Sequence, residues 1–582
     1  MRHILSVGET MSAVYNGSKI ISMTKEGITF VNSSNFFMMP LAALPKAFGL
    51  AEDTSKLAFP HFFNTLDHQD YVGPYPDPKD YGVDDFSETK KKEFMTWHAS
   101  KHSSIFDFKA EMESYCRMDT SILREAMMKF RETFVELCDI DPFKALTMAS
   151  LCMKVFRQNF LPETWTGLLY GKRVKAIKLK GKFYLEGDTK TDITEQLQRR
   201  TFVSSPVGSI PRNGYVTRLL YSKQSVQWLN YRQLTEGVQI KHAANGRGEV
   251  RVPGTHYFAD GLARTALGIT LYHFEGCTIH SCLKCFPYDR KTMKNPINGK
   301  TLEKAYQETV TRNARLSELG YILISIWACE FEILVDSDPP GLAAIIEQYD
   351  HLGRLDIRQS FHGGRVNAIK LHHKARTGER ISYFDVTSLY PFCQKYARYA
   401  IGHPMIITEN FKPLNEYFGI IKVTVDPPSD LYHPVLPYKC RGKLTFPLCR
   451  TCATKELAPP CKCDLKARVL HGTWCTPELN KAVEKGYKIV KIYEVYHFPE
   501  TTRYDRESGS GGLFAEYINT FLKLKQESSN WPKECTTEAG KKKYIDEYAK
   551  HERIRLDPAA IQFNPALRTI AKSLLTNLWG EW

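Results

Sequence analysis

Phe384-Asp385-Val386-Thr387-Ser388-Leu389-Tyr390-Pro391 is the stretch on which the reading of this chain turns. The five residues Arg380-Ile381-Ser382-Tyr383-Phe384 just before the aspartate are β-branched and aromatic with a polar break, a pattern that predicts a strand. Asp385 then falls where that strand ends and the chain turns. A carboxylate there, followed by small residues with free N–H groups, suits a divalent cation bridging a polyphosphate. Taken alone, a strand-end aspartate more often caps a turn or a helix. The weight therefore rests on the whole string and on what accompanies it.

The chain has 582 residues, room for roughly two to four domains that each bury a core. It is 43% hydrophobic and 25% charged, with no low-complexity tract and no internal repeat, as expected of a globular protein. The net charge of +15 favours a polyanionic partner. Fifteen cysteines follow no regular framework, and Met1-Arg2-His3-Ile4-Leu5-Ser6-Val7-Gly8-Glu9 lacks the apolar core of a signal peptide. The longest apolar stretch, 322–335, is too short for a membrane span and contains Glu330 and Glu332. These features predict no membrane partner and a reducing, intracellular compartment, with nucleus and cytoplasm both open.

Residues 1–140 begin strand-like and turn-rich and end in a predicted helix over Phe108–Cys138, where apolar residues recur at helical spacing among Glu, Lys and Arg. A helical bridge over 142–160 leads to a basic strand-like segment with Lys172, Arg173, Lys175, Lys178 and Lys180. Over 205–345 the order strand (257–260), strand (269–274), helix (302–319), strand (321–327) predicts a compact α/β unit. Pro- and Cys-rich sequence spans 425–465, and 512–582 is mostly helical.

The second anchor is Asn564-Pro565-Ala566-Leu567-Arg568-Thr569-Ile570-Ala571-Lys572-Ser573-Leu574-Leu575-Thr576-Asn577-Leu578-Trp579-Gly580. Asn at the N-cap and Pro at the first helical position start a helix that Gly580 can end. Leu567, Ala571, Leu574 and Leu578 make its apolar stripe. Arg568, Lys572 and Thr576, spaced by four, line another face. Two cations one turn apart suit the β- and γ-phosphates of a nucleotide, although an isolated helix with this pattern is usually just solvated.

The two strings, in this order, resemble motifs A and B of family B DNA polymerases, the second with Thr576 and Asn577 where Asn and Ser are usual and Trp579 for Tyr. The resemblance implies that Asp385 holds Mg²⁺ with help from the Val386 carbonyl. Ser388, Leu389 and neighbouring N–H groups would cradle phosphates, Tyr390 would stack under the sugar and exclude a 2′-hydroxyl, and Arg568, Lys572 and Thr576 would contact the nucleotide. The reaction would be attack of a primer 3′-hydroxyl on the α-phosphate, assisted by two metals. Phe361-His362-Gly363-Gly364-Arg365 combines paired glycines, which permit close backbone approach, with an aromatic and a cation suited to single strands. It resembles the Tyr-x-Gly-Gly linker between the exonuclease and polymerase modules, so Phe361, Gly363, Gly364 and Arg365 would touch DNA. The 180-odd residues between the two motifs leave room for the insertion of the protein-primed branch, which contacts template and priming protein. Two strings within it, 472–479 and 487–498, look like viral, linear-plasmid and self-synthesising-transposon polymerases.

Tyr115 and Asp119 fall one turn apart on a single helix face, where a carboxylate can ligate a metal while a phenol orients water. Their spacing resembles the third motif of the 3′–5′ exonuclease domain, and Asn32-Ser33-Ser34-Asn35-Phe36 resembles its single-strand-binding segment, with Ser33 as the contact. On that alignment the first two exonuclease motifs are missing upstream, and motif C and the thumb are missing downstream. The expectation is a chain truncated at both ends that neither proofreads nor polymerises alone.

Cys277, His280, Cys282 and Cys285 form a compact set suited to tetrahedral Zn²⁺, as do the pairs Cys449/Cys452 and Cys461/Cys463. Asp260, the Gly276-Cys277…His280 string, Thr311, Arg312 and Ile326-Trp327-Ala328-Cys329-Glu330 resemble very-short-patch repair endonucleases of the restriction-endonuclease type, with His273 in place of their usual acidic residue. That departure favours a vestigial or DNA-binding insert.

The expected fold is mixed α/β and multidomain. Residues 1–140 are a remnant of an RNase H-like exonuclease domain, 141–204 a linker, and 205–345 a restriction-endonuclease-like insert. Residues 355–400 begin the palm, 401–510 are the inter-motif insertion, and 511–582 are helical fingers. The expected function is DNA-directed DNA synthesis of the protein-primed type, with DNA template and primer, dNTPs and a terminal priming protein as partners and Mg²⁺ and structural Zn²⁺ as cofactors. The rivals are a non-catalytic DNA-binding remnant and a DNA endonuclease acting through 205–345.

Overall fold

A computed structural model describes residues 12–578 other than 17–18, 26, 38, 52–57, 189, 209–220, 246–248, 296, 350–351, 367, 369 and 459. Trp579 and Gly580, the end of the second anchor string, lie outside the described residues. The chain divides into two compact units, and neither is continuous in sequence. One joins Met1–Pro206, Ala375–Tyr399 and Thr501–Trp582, and the other joins Val207–Lys374 and Ala400–Glu500. The linear domain list expected from sequence therefore cuts across the spatial grouping.

The first unit is built around the Phe108–Cys138 helix. It starts because the Asp107 side chain accepts from the Ala110 N–H at 3.1 Å, and it stops at Asp139, which is left-handed at φ 54°. Its residues Ile122, Ala126, Phe130 and Phe134 recur every fourth position and are all buried. Phe130 meets Phe37 edge-on at 5.2 Å and Phe48 at 6.3 Å. The Met148–Asn159 helix, opened by a reciprocal Thr147/Ser150 cap, adds Leu151, Val155 and Phe156 to the same core. Ala515–Glu527 and Pro565–Asn577 close it with Tyr517, Ile518, Phe521, Ile570 and Leu574. The residues expected to be a linker are a folded part of this unit. Beyond the Met148–Asn159 helix they form a four-stranded antiparallel sheet of Lys182–Leu185, Lys172–Leu179, Glu163–Leu169 and Gln198–Ser204, in that spatial order.

The second unit holds two four-stranded sheets. In one, Lys241–His242, Gly261–Thr265 and Gly268–Glu275 run antiparallel, and Ile322–Trp327 then joins Gly268–Glu275 in parallel, with the Leu302–Glu318 helix as the crossover. The strand-strand-helix-strand pattern was visible in the sequence because each segment carries its own periodicity. The other sheet is antiparallel, in the order Met405–Ile407, Lys488–His497, Gly419–Asp426, Leu470–Cys475. Gly419, at φ 151°, opens its central strand, and a Cβ there would run into the carbonyl of Tyr496. No other residue type fits that position.

One predicted element is absent. Arg380-Ile381-Ser382-Tyr383-Phe384 is exposed and forms no strand; Tyr383 is 93% and Phe384 88% exposed. Strand residues need a neighbouring ladder for their N–H and C=O groups, and no strand among the described residues runs beside this segment. The stripe of the second anchor helix is wider than expected: Ala571, Leu574 and Leu578 are buried as predicted, Ala566, Ile570 and Leu575 join them, and Leu567 is only half-buried.

The Phe130 ring meets four other phenylalanines, Phe36, Phe37, Phe48 and Phe134, in the buried core. Phe130→Ala is expected to lower the unfolding free energy of the first unit by about 3–5 kcal/mol. Denaturant titration followed by far-ultraviolet dichroism checks this; a loss below about 1 kcal/mol would mean that the core is not packed as described.

Candidate functional site

Asp385 lies in the exposed segment just before the Leu389–Tyr396 helix. Ser388 is the N-cap of that helix and is left-handed, φ 58° and ψ 30°, an uncommon state for a residue with a Cβ. The turn is closed by the Leu389 N–H donating to the Val386 carbonyl at 3.3 Å. Leu389 and Tyr390 are 44% and 55% exposed, so the string presents its polar and aromatic groups outward. The helix behind it packs on both Ala515–Glu527 and Pro565–Asn577, which brings the two anchor strings together in the first unit. Its inner face carries Lys395, only 1% exposed, whose Nζ donates to the Glu552 carbonyl at 2.7 Å.

On Pro565–Asn577 the predicted cap is present: the Asn564 side chain accepts from the Leu567 N–H at 3.1 Å. Arg568, Lys572 and Thr576 are all exposed, on the face opposite the core. Arg568 donates to the Ser529 hydroxyl at 3.1 Å. Thr576 spends its hydroxyl proton on the Lys572 carbonyl at 3.0 Å, one turn back. Lys525, on the neighbouring Ala515–Glu527 helix, is a third member that the sequence did not reveal. Burial, then Arg568 and Lys572, push its ammonium below the usual lysine range. Three cations held together without being neutralised by each other favour an anion. Only helix packing, which no local spacing reports, joins Lys525 to the other two.

Tyr115 and Asp119 do share a face of Phe108–Cys138, and the Tyr115 hydroxyl lies 3.4 Å from His61 Nε2 while its ring packs on Phe59. Ser33 sits in a short Ser33–Asn35 turn whose Asn35 side chain donates to the Ile21 and Leu146 carbonyls at 3.0 and 3.1 Å. In the second unit Arg365 donates to the Pro434 carbonyl at 2.7 Å and lies over the Phe446 ring at 4.3 Å. Gly363 and Gly364 have open space where a Cβ would stand, so internal packing does not demand glycine there. Phe361 is 46% exposed.

Among the described residues two side-chain groups are compact enough to hold a metal ion, and both are sets of four cysteines. Cys449, Cys452, Cys461 and Cys463 are the set expected from sequence, with Cys452 and Cys463 sulfurs 3.8 Å apart. The Cys463 N–H and the neighbouring thiols pull the Cys461 thiol down to about 7. The other set is Cys277, Cys282, Cys285 and Cys329, which corrects the expected ligand His280. His280 faces away from the thiols: its Nδ1 meets the Thr309 hydroxyl at 2.9 Å and its Nε2 meets Glu275 at 3.4 Å. Cys329 completes the set because Glu275 and Trp327 are partners at the ends of parallel strands. Cys277 and Cys329 each follow two residues later. The Cys329 N–H donates to the Cys277 sulfur at 3.3 Å, and the Cys282 and Cys329 sulfurs are 3.8 Å apart.

Next to this set is a buried polar cluster. Glu275, 2% exposed, pairs with Arg312 and accepts from Asn313 at 3.3 Å. Asp260 accepts from the Phe274 N–H at 2.9 Å, yet burial, with Glu275 adding to it, lifts its carboxyl to about 6. Glu249 is raised to about 7 by burial and then by Asp260. His273, 2% exposed, has a buried Nε2 without a hydrogen-bond partner, and burial followed by the Arg312 charge drives its imidazole down to about 3. Glu249 and Glu275 were not picked out from sequence, because an isolated glutamate in a bend or at a strand end carries no spacing signal. Among the described residues no helix is long and apolar enough to cross a membrane.

The pattern that defines DNA polymerase type B, organellar and viral, matches residues 8–180 and 353–539. The unmatched stretch between them contains the Cys277 set and the polar cluster, and the Arg568/Lys572 helix lies beyond the second block. A probable DNA polymerase of Neurospora intermedia is 31% identical over 189 residues, which are 30% of this chain and 19% of that protein. A probable DNA polymerase of Ascobolus immersus is 27% identical over 146 residues, 24% of this chain and 12% of that protein. The chain thus spans less than a fifth of the length of either relative. No solved structure matches.

The two thiol sets give a direct test of which residues ligate. Cys329→Ser is expected to halve the bound divalent metal, from two ions per chain to one, while His280→Ala leaves both in place. Elemental analysis of the purified variants reads the outcome, and loss of an ion with His280→Ala would restore the histidine as a ligand.

Proposed function

This chain belongs to the organellar and viral type B DNA polymerase family, and from that membership we propose that it contributes the nucleotide-binding and metal-binding parts of template-directed DNA synthesis. The observation that carries the proposal is the cation group Lys525, Arg568 and Lys572, in the same unit as Asp385 and packed through the Leu389–Tyr396 helix. The substrates are a deoxynucleoside triphosphate, a primer and a DNA template.

In this reading Arg568 and Lys572 hold the outer phosphates, and Lys525 adds charge from the second helix. Charge-assisted hydrogen bonds to phosphate are about twice as strong as neutral ones, which suits a site that must grip a triphosphate in water. The left-handed Ser388 turns the chain into the Leu389–Tyr396 helix, whose first turn offers the Tyr390 N–H, since the Leu389 N–H donates to the Val386 carbonyl and Pro391 has none. Tyr390 offers a flat surface to the sugar. Asp385 would ligate Mg²⁺, which when bound neutralises triphosphate charge and polarises the phosphoryl oxygen. Its exposure keeps the carboxylate open to a hydrated cation. Thr576, with its proton committed to the Lys572 carbonyl, is a weaker candidate for nucleotide contact than the two cations.

Phe361, Gly363, Gly364 and Arg365 are proposed to meet the single-stranded template, the glycines giving room for the sugar-phosphate chain. Tyr115, Asp119 and Ser33 are proposed as the remnant of an exonuclease face. Both cysteine sets are proposed to hold structural Zn²⁺. A zinc–sulfur bond of about 2.3 Å in a tetrahedron gives sulfur–sulfur edges of about 3.8 Å, and the Cys282–Cys329 and Cys452–Cys463 separations are 3.8 Å. A protein-primed mode, with a terminal priming protein as partner, is the subtype that the Gly472–Leu479 and Tyr487–Phe498 strings favour.

A second reading attaches to residues 207–374. Asp260, Glu249 and Glu275 lie in one buried polar cluster with His273, His280 and Arg312, although their ligand atoms are not grouped tightly enough to hold a metal ion as they stand. Buried carboxyls and imidazoles beside a guanidinium are what support a DNA-cleaving insert as the second reading.

For the first reading, titration of the protein with a deoxynucleoside triphosphate and Mg²⁺ is the deciding measurement. Arg568→Gln and Lys572→Gln are each expected to weaken binding tenfold or more, about 1.4 kcal/mol; unchanged affinity in both would sink it. For the second, Asp260→Asn is expected to abolish Mg²⁺- or Mn²⁺-dependent nicking of supercoiled DNA, with Asp385→Ala leaving it intact. Failure of the unaltered protein to nick would remove the second reading without touching the first.

A further inference from the structure

A groove of about 500 Å³ lies in the first unit, between the Met148–Asn159 helix and the hairpin turn that joins Lys172–Leu179 to Lys182–Leu185. Neither the nucleotide group nor the thiol sets use it. Lys154 and Arg157 line it from the helix, Lys178 and Glu163 from the sheet, and Met153 and Leu161 are its apolar members. Among the described residues no aromatic ring lines it.

The two walls are fixed to each other and to the core. Lys180, left-handed at φ 52° in the hairpin turn, donates its N–H to the Gln158 carbonyl at 2.9 Å. The buried Asn159 side chain donates to the Cys138 carbonyl at 2.8 Å and ties the end of the Met148–Asn159 helix to Phe108–Cys138. The groove therefore owes its shape to contacts within the protein, and its cations are held in place by that frame.

Charge along the groove is out of balance. Its one carboxylate, Glu163, is taken up by Lys178 at 3.4 Å and by the Trp165 indole N–H at 3.1 Å, both on the same oxygen. Carboxylates on the flanking strands and loops are engaged elsewhere: Asp141 with Arg131 at 2.7 Å, Asp192 with Lys182 at 3.1 Å and Glu186 with Lys175 at 3.8 Å. The Met148–Asn159 helix has no acid of its own. Among the described residues Lys154, Arg157 and Lys180 have no carboxylate partner. Lys154 and Arg157 stand three apart on one helix face, a spacing at which like charges repel. The carbonyl end of the helix favours a cation at Arg157, in its last turn, but does not account for the two lysines as well. A row of cations without a ring to stack on suits phosphates rather than bases.

From the built walls and the three cations without a counter-charge, we infer that this groove is a track for one strand of DNA, held through successive phosphates by Lys154, Arg157 and Lys180 without reading its sequence. The choice of DNA as the polyanion rests on the polymerase reading. The groove shares no residue with the Lys525, Arg568 and Lys572 group, and it stands if that group does not bind a nucleotide.

The test follows binding of the full chain to a fluorescent single-stranded thymidine oligonucleotide by anisotropy over a range of salt concentrations. Lys154→Gln/Arg157→Gln is expected to weaken binding more than tenfold at about 0.1 M salt. It should also make the plot of log K against log salt shallower by about 1.4, since each phosphate contact on a single strand contributes about 0.7. Lys180→Gln, at an exposed turn where the fold is not at stake, should make it shallower by about 0.7 on its own. An oligonucleotide of mixed sequence should show the same losses, and so should the Arg568→Gln/Lys572→Gln protein used as the starting point. Lys90→Gln/Lys92→Gln, which removes the same charge from the Glu88–Ser100 helix, should change affinity less than twofold. A slope unchanged in both Lys154→Gln/Arg157→Gln and Lys180→Gln overturns the inference, as does an equal loss in Lys90→Gln/Lys92→Gln. Displacement of the strand by inorganic pyrophosphate as effectively as by unlabelled strand marks a small-anion site and overturns the strand assignment.

Discussion

The first unit depends on one constraint: the Pro565–Asn577 helix must bury one face completely while keeping cations on the other. Ala566, Ile570, Ala571, Leu574 and Leu575 are buried among side chains from the Phe108–Cys138, Met148–Asn159 and Ala515–Glu527 helices. The Tyr517 hydroxyl, buried with its ring, donates to the Leu574 carbonyl at 3.0 Å and fixes the helix along its axis. Thr569 donates to the Ala47 carbonyl at 3.2 Å and fixes its rotation. Grouping Lys525, Arg568 and Lys572 is unfavourable in the absence of an anion. Burial of each large apolar side chain contributes about 1.5–3 kcal/mol and offsets that repulsion several times over. The N-terminal residues therefore share the core on which the helix carrying Arg568 and Lys572 rests.

The elements legible in the sequence are those whose signal is local. Phe108–Cys138 and Pro565–Asn577 each show a cap residue, an apolar period and a stop, and all three act within a few residues of one another. The strand-strand-helix-strand order around Gly268–Glu275 and Ile322–Trp327 was legible for the same reason. Arg380-Ile381-Ser382-Tyr383-Phe384 was misread because strand propensity is a statement about a side chain fitting a pleated surface, and the surface must be supplied by another segment. Residues 141–204 looked like a linker because their short strands are interrupted by turns and basic residues. Their pairing with one another, from Thr164↔Ser204 to Leu179↔Lys182, is what makes them a sheet.

The candidate sites follow the same division. Asp385, Arg568 and Lys572 were identifiable because each sits in a short string with its own chemistry. Lys525 and Cys329 were not, because helix packing and strand register bring them to their partners. Cys329 shows how register builds a cluster: a parallel pairing of Glu275 with Trp327 is followed two residues on by Cys277 and Cys329, so a thiol rather than the His280 imidazole completes the group of four. His280 is then left to the Glu275 and Thr309 side, where it becomes part of the polar cluster.

Desolvation sets the character of the buried polar cluster in the second unit. Around Asp260 burial disfavours the carboxylate, and the group reaches about 6; a divalent cation would reverse that by stabilising the ionised form. The half of the unit that holds Lys422 is arranged differently. Strand register sets Lys422 opposite Glu494, and the ammonium acts on that buried carboxyl, so the folded chain supplies the counter-charge itself.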